Sequence, residues 1–195
     1  MSATCVPKRD GTTAARHADD AYFTPGWAVH AVLPHLPTAG SVLEPCAGDG
    51  AIVRALMARG VHCVDAIELD EERAAKVRAV GADGDVLCAD ALSTEADSEW
   101  FLPHGLILTN PPFSLAMEFL EKALASQKPH QGTSAFLLRL SWLASSKRAA
   151  FHRENPSDVY VLSKRPSFTG DGKSDSADYM WAIWGPGRGG KWSVL

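Results

Sequence analysis

The chain has 195 residues, 46% of them hydrophobic and 22% charged, with a formal net charge of −4, figures that fit one globular domain and exclude a disordered or collagenous chain. No apolar run approaches the roughly 20 residues that cross a bilayer, and the polar opening MSATCVPKRD lacks the apolar centre of a secretory signal. Cys5, Cys46, Cys63 and Cys88 form no CxxC pair, which fits reduced thiols in a cytoplasmic protein and not a zinc site.

Residues 1–20 are polar and without periodicity and are expected to form a flexible arm. The stretch AYFTPGWAVHAVLPHL then predicts a first helix opening near Pro25. SVLEPC reads as a buried strand that breaks at AGDG, followed by the helix AIVRALMARG; VHCVDAIEL is a second strand, and DEERAAKVRAVG a helix with Asp70 as its N-cap. DVLCAD and GLILT are the next strands, the latter running straight into Asn110, Pro111, Pro112 and Phe113. SLAMEFLEKALAS has the spacing of an amphipathic helix, SAFLLRL of a strand, and ASSKRAAFHREN of a helix stopped by Pro156. VYVLSK and DYMWAIW close the pattern, joined by the loop RPSFTGDGKSDSA. Strands alternating with helices predict an α/β fold: a single Rossmann-like, doubly wound, mostly parallel seven-stranded sheet with one antiparallel late strand. The domain is expected over residues 21–184, with residues 185–195 as a flexible tail and no separate target-recognition domain.

In such sheets ligands bind beyond the carboxyl ends of the strands. At the first strand end, Gly48 and Gly50 allow a sharp turn and a close backbone approach to a ligand. A bare GxG is a weak signal, and Val53 occupies the place of a third glycine, which disfavours a nicotinamide-dependent oxidoreductase; no GK[ST] follows for a nucleotide triphosphate loop. Glu68 ends the next strand about twenty residues later, where a carboxylate accepts from ribose hydroxyls. Asp90 ends the third strand, suited either to accept from an adenine amino group or simply to cap a turn.

The sequence ILTNPPF is the most specific feature. Asn110 and Pro111 both precede a proline and are driven into extended conformations, while Pro111 and Pro112 offer no N–H. The Asn110 side-chain oxygen and the Pro111 carbonyl can therefore address one amino group together. A rigid turn would account for the prolines but not for the flanking Asn and Phe.

With these residues in this order, the chain resembles the class I S-adenosylmethionine-dependent methyltransferases, in particular the adenine-N6 DNA amino-methyltransferases of phage and bacterial type. The resemblance runs from about Tyr22 to Trp184. It implies S-adenosylmethionine as cofactor, with the methionine part held by Glu44 and the AGDG turn, the ribose by Glu68 and the adenine by Asp90. Residues 22–25, with Tyr22, Thr24 and Pro25, resemble the segment that closes over the methionine end; Cys46, for which simple packing is the alternative role, and Asn110 join the cofactor-binding candidates. It further implies duplex DNA as partner, with a base flipped out of the stack and held between Phe113 and Phe168. Lys164 and Arg165 are then candidate phosphate contacts, and the basic last part of the chain, 9 Lys and Arg against 5 Asp and Glu from residue 139 onward, suits that surface as well as it suits ordinary solvated side chains.

Related amines remain alternatives: adenine or guanine in RNA, or a glutamine side-chain amide in protein, and, from another class, a non-catalytic cofactor-binding protein. The seven histidines are scattered with no HExxH, so no metal is expected.

Overall fold

Short apolar strands that feed amphipathic helices bury themselves between two helical layers, and the computed structural model has that architecture over the residues it describes, 23–37, 40–93, 100–101, 104–168 and 174–195. The expected arm over residues 1–20 and the candidate Tyr22 lie outside the described residues. In chain order the elements are α1 (Gly26–Val32), β1 (Val42–Glu44), α2 (Ala51–Met57), β2 (Val64–Glu68), α3 (Glu71–Arg78), β3 (Val86–Cys88), β4 (Leu106–Thr109), α4 (Ala116–Gln127), β5 (Thr133–Arg139), α5 (Ala149–Glu154), β6 (Asp158–Val161), β7 (Tyr179–Trp184) and β8 (Trp192–Val194).

The strands form one sheet in the order β3-β2-β1-β4-β5-β7-β6-β8. Pairing is parallel except around β7, which runs antiparallel to both β5 and β6. The sheet has eight strands where seven are expected. The extra one, β8, pairs parallel with the β6 edge and comes from the segment read as a tail. Its formation depends on Asp158 at the start of β6, whose buried carboxylate accepts from the N–H groups of Gly189, Gly190 and Lys191 and from Arg188. Arg188 in turn donates to the carbonyl of His35.

The two-residue period of a strand sorts the core into two layers. Leu106 and Leu108 of β4, Ala135 and Leu137 of β5, and Tyr179, Trp181 and Ile183 of β7 pack with α1 and α2 on one face. Ile107, Phe136, Leu138, Met180, Ala182 and Trp184 pack with α4 on the other. Trp181 also donates its indole N–H to the Ala28 carbonyl, which fastens α1 to the sheet. Among the described residues Cys46 and Cys63 are free thiols.

The order places β1 between β2 and β4, so the chain winds outward in opposite directions from β1 and β4. A crevice opens at the carboxyl ends of such a pair. Glu44 ends β1 and Asn110 follows β4, one on each side of it.

Candidate active site at the carboxyl edge of the sheet

The turn after β1 is built on two left-handed glycines, Gly48 with φ 56° and Gly50 with φ 82°. A side chain at either is strained whatever the space around it. The turn is braced by Ala47 N–H to Ile67 O at 3.0 Å and Gly50 N–H to Ala47 O at 2.8 Å, and it hands the chain to α2. Asp49 accepts from the Ala51 N–H at 3.1 Å and pairs with Arg54.

Three carboxylates gather beside this turn. Glu44 is 0% exposed; its Oε1 accepts from the Cys46 N–H at 3.2 Å, and its Oε2 is enclosed with no hydrogen bond among the described residues. Burial above all pushes its carboxyl well above the usual range, with the Glu68 charge adding to the effect. Glu68 is nearly as enclosed, and it accepts from the Gly48 N–H at 2.7 Å, so the second strand end is tied directly to the glycine turn. Asp90 is half-buried and accepts from the Leu92 N–H at 2.9 Å, closing the turn after β3. Cys46 lies within the field of all three: burial first, then Glu44, Glu68 and Asp90, raise its thiol well above its usual value. A thiol so placed is held protonated and is no nucleophile.

A prediction follows from Glu44. Its folded pKa lies above the value of 4.5 it would have in the unfolded chain. The contribution of Glu44 to stability is therefore fully present below about 4.5 and is lost as pH rises through its folded pKa. Glu44→Gln carries no such slope, so urea unfolding at pH 5 and pH 8 should show the wild type losing stability relative to the variant at the higher pH. Parallel curves for the two proteins would contradict the burial argument.

On the other side of the crevice, Asn110 is 8% exposed, and its Nδ2 donates to the Thr24 hydroxyl at 3.0 Å. This bond joins the Thr24 segment to the Asn110 loop, 86 residues away in sequence. Pro111 is buried and Pro112 half-buried. The Pro112 carbonyl accepts from the Leu115 N–H at 2.9 Å, which starts a 3-10 turn over Phe113–Leu115 leading into α4.

Phe113 does not stand alone. Its ring centroid lies 5.5 Å from Tyr179 and 6.3 Å from Phe168, the latter edge-on at 71°, and the Arg139 guanidinium sits 4.8 Å above it. Arg139 also donates to the Tyr179 hydroxyl at 3.3 Å, and that hydroxyl donates to Asp175 at 2.7 Å. Burial, and the hydrogen bond to Asp175, push the Tyr179 phenol up. Burial works against the Asp175 carboxylate, but the donors Tyr179, Ala177 and Ser176, with the Arg139 charge, hold it below the usual range. Phe168 is buried at 3% exposure and packs edge-on against Tyr179 at 5.0 Å. In this state Phe168 and Phe113 are therefore packed together and do not face each other across an open slot.

Lys164 and Arg165 are exposed, but each has a partner. The Lys164 ammonium lies 4.5 Å over the Trp27 ring, and Arg165 pairs with Asp178 at 2.8 Å. A cavity of about 510 Å³ lies next to the Asn110 loop, lined among others by Phe23, Thr24, Pro25, Asp49, Arg54 and Phe168. It brings residues 23–25, the glycine turn and the loop after β6 to one opening. Sequence reasoning missed Arg73, which reaches Glu68 at 2.9 Å, and the partners of the strand-end residue Arg139, namely Tyr179, through it Asp175, and the face of Phe113. The Glu68–Arg73 pair had a weak signal in its spacing across a strand-to-helix corner; the Arg139 partners had none, because Arg139 lies 40 residues from Tyr179, which Asp175 precedes by 4.

Comparison with solved structures decides the fold. A protein of Listeria monocytogenes described as a class I S-adenosylmethionine-dependent methyltransferase superposes with a TM-score of 0.66 over 90% of this chain and 66% of that one, at 14% identity. The chain has the class I methyltransferase fold. A Pyrococcus horikoshii protein described as an RNA methyltransferase shares this methyltransferase fold with a TM-score of 0.64, covering 84% of this chain and 85% of its own, at 17% identity. In sequence, the chain is 35% identical over 113 residues to the mycinamicin-resistance protein MyrB of Micromonospora griseorubida. The match takes in 57% of this chain but only 33% of MyrB, so the chain spans about a third of the length of that relative. No family model matches. Among the described residues no helix is long and apolar enough to cross a membrane, and no group of His, Cys, Asp or Glu is placed to hold a metal ion.

Proposed function

We propose that the chain transfers a methyl group from S-adenosylmethionine to an exocyclic amino group of a nucleic-acid base, N6 of adenine by first choice. The observation that carries this reading is the placement of Glu44 and Asn110 at the carboxyl ends of the neighbouring strands β1 and β4. A carboxylate set for a cationic nucleoside thereby lies opposite a loop of acceptors for an amine.

The residues present fit that cofactor. The enclosed Glu44 Oε2, without a hydrogen bond among the described residues, suits an ammonium group such as that of the methionine part. Gly48 and Gly50 let the backbone come close, Glu68 suits ribose hydroxyls, and Asp90 an adenine amino group. Pro25 and Thr24 would cover the methionine end. When bound, S-adenosylmethionine supplies an electrophilic methyl on a sulfonium.

The chain's own residues then have to make a poor nucleophile attack. The lone pair of a base amino group is delocalised into the ring. Acceptance of its two hydrogens by the Asn110 side-chain oxygen and the Pro111 carbonyl favours a tetrahedral nitrogen and frees that pair. No strong base is needed, because the proton becomes acidic only as the new bond forms, so the contribution is positioning and electrostatics. Pro112 stiffens the loop. Phe113 offers a face on which the base stacks, worth about 1–3 kcal/mol.

DNA is the carrier expected from the sequence, with Lys164, Arg165 and Phe168 at its edge. RNA is a second reading, favoured by the likeness to the Pyrococcus horikoshii protein described as an RNA methyltransferase. Incubation with radiolabelled S-adenosylmethionine and, separately, duplex DNA, single-stranded DNA, RNA and protein extract separates the two. Label in DNA N6-methyladenine supports the first, label confined to RNA the second. Label confined to protein would remove nucleic acid from the proposal.

A further inference from the structure

The Glu68 carboxylate is already loaded with donors. Oε1 accepts from Arg73 Nε at 2.9 Å and from the Asp70 N–H at 3.0 Å, and Oε2 accepts from the Gly48 N–H at 2.7 Å. An ionised carboxylate offers about four acceptor positions. Three are taken, and the remaining one is on Oε2, the oxygen on the side of the glycine turn.

Arg73 is held at both ends of this arrangement. Its own N–H donates to Asp70 Oδ1 at 3.1 Å, the N-cap bond of α3, and its side chain reaches back to the strand end. Its side chain is 27% exposed against 6% for Glu68, so it sits at the rim and brings a positive charge to a corner otherwise occupied by acidic groups. The bond is made by Nε, which fixes the side-chain path as well as the charge, and an ammonium cannot reproduce that.

We propose that Arg73 is a positioning residue for the cofactor: it fixes the Glu68 carboxylate so that the remaining Oε2 acceptor position is presented to a ribose hydroxyl. The inference rests on the methyltransferase reading of the site, because it requires a ribose-bearing ligand. Arg73 touches neither the ribose nor the methyl group; it acts through Glu68.

Calorimetric titration of the full chain with S-adenosylhomocysteine, and with its 2′,3′-dideoxy analogue, tests this. Arg73→Ala should raise the Kd for S-adenosylhomocysteine about tenfold, the order of one lost charge-assisted hydrogen bond, and Arg73→Lys by less. Both variants should bind the dideoxy analogue as the wild type does, because that ligand has no hydroxyl for Glu68 to accept from. Equal weakening toward both ligands would mean a general structural role and overturn the proposal. Unchanged or tighter binding of S-adenosylhomocysteine by Arg73→Ala would overturn it too, while leaving the methyltransferase reading standing. No binding by the wild type would overturn both.

Discussion

Asn110→Ala is expected to lower kcat by about 10²–10³-fold, the range found when one preorganised polar group facing a developing charge is removed. The expectation comes from position and chemistry together. Asn110 follows β4 at the crevice, it is nearly enclosed, and its amide nitrogen is engaged by Thr24. That bond fixes the rotation of the amide and turns its oxygen away from the Thr24 hydroxyl. The substitution also removes the Thr24 contact, a single neutral hydrogen bond worth about 0.5–1.5 kcal/mol, so the fold should survive. Kd for S-adenosylhomocysteine should change little, because the cofactor carboxylates stand on the other strands. Single-turnover transfer on whichever nucleic acid takes label is the measurement. Retained turnover in a folded Asn110→Ala protein would show that methyl transfer does not pass through residues 110–113.

The largest stability effect is expected at Asp158. It is 1% exposed and receives Arg188 at 3.1 Å and three backbone N–H groups at 3.0–3.2 Å. Asp158→Ala leaves the Arg188 guanidinium and those donors uncompensated, which costs about 3–5 kcal/mol. Asp158→Asn keeps the shape and should cost less. Burial opposes ionisation here, but the N–H groups of Lys191 and Gly189, then Arg188 and Gly190, outweigh it and hold the carboxyl at about 2, against 3.8 in the unfolded chain. A depressed carboxyl contributes stability above its unfolded pKa and loses it as pH falls toward the folded one. About 2 kcal/mol should therefore drain away between pH 3.8 and pH 2 in the wild type and not in Asp158→Asn. Denaturant unfolding across that range checks both statements. Identical acid profiles would mean that the carboxylate is not the group anchoring the last strand.

Most of the sheet was legible because its strands are local signals: short apolar runs, each ending in a turn of glycine, proline or acidic residues. Asp70 as the α3 cap was visible in the sequence and caps α3 through the Arg73 N–H. The apolar stripe of α4 places Phe119, Leu120 and Ala123 in the core. The eighth strand was not legible. Trp192–Val194 is three residues long and follows a glycine-rich stretch, and what orders it is Asp158, more than thirty residues upstream. The helix read over ASSKRAAFHREN is shorter than its pattern, because residues Ser146–Arg148 form a 3-10 turn before α5 begins at Ala149. At the candidate site, the strand-end carboxylates and the Asn-Pro-Pro-Phe loop were visible as motifs. The partners that fix them were not: Thr24 for Asn110, Arg73 for Glu68, Arg139 for Phe113. The first and last of these depend on which segments the fold brings together, and no window of sequence contains them; Arg73 lies five residues from Glu68, but only the strand-to-helix corner turns it back onto the carboxylate.

The packing of Phe113 against Phe168 and Tyr179 has a thermodynamic consequence for the proposed reaction. A planar ring cannot slip between two aromatic groups that already meet edge to face at 6.3 Å, so a base entering there selects a rarer, parted arrangement of the cluster. Its apparent dissociation constant is then the intrinsic one divided by the fraction of molecules parted at any instant, and its association is gated by that rearrangement and not by diffusion alone. Discrimination between bases would thus arise partly before any polar contact is made, from how well each candidate repays the separation of two rings.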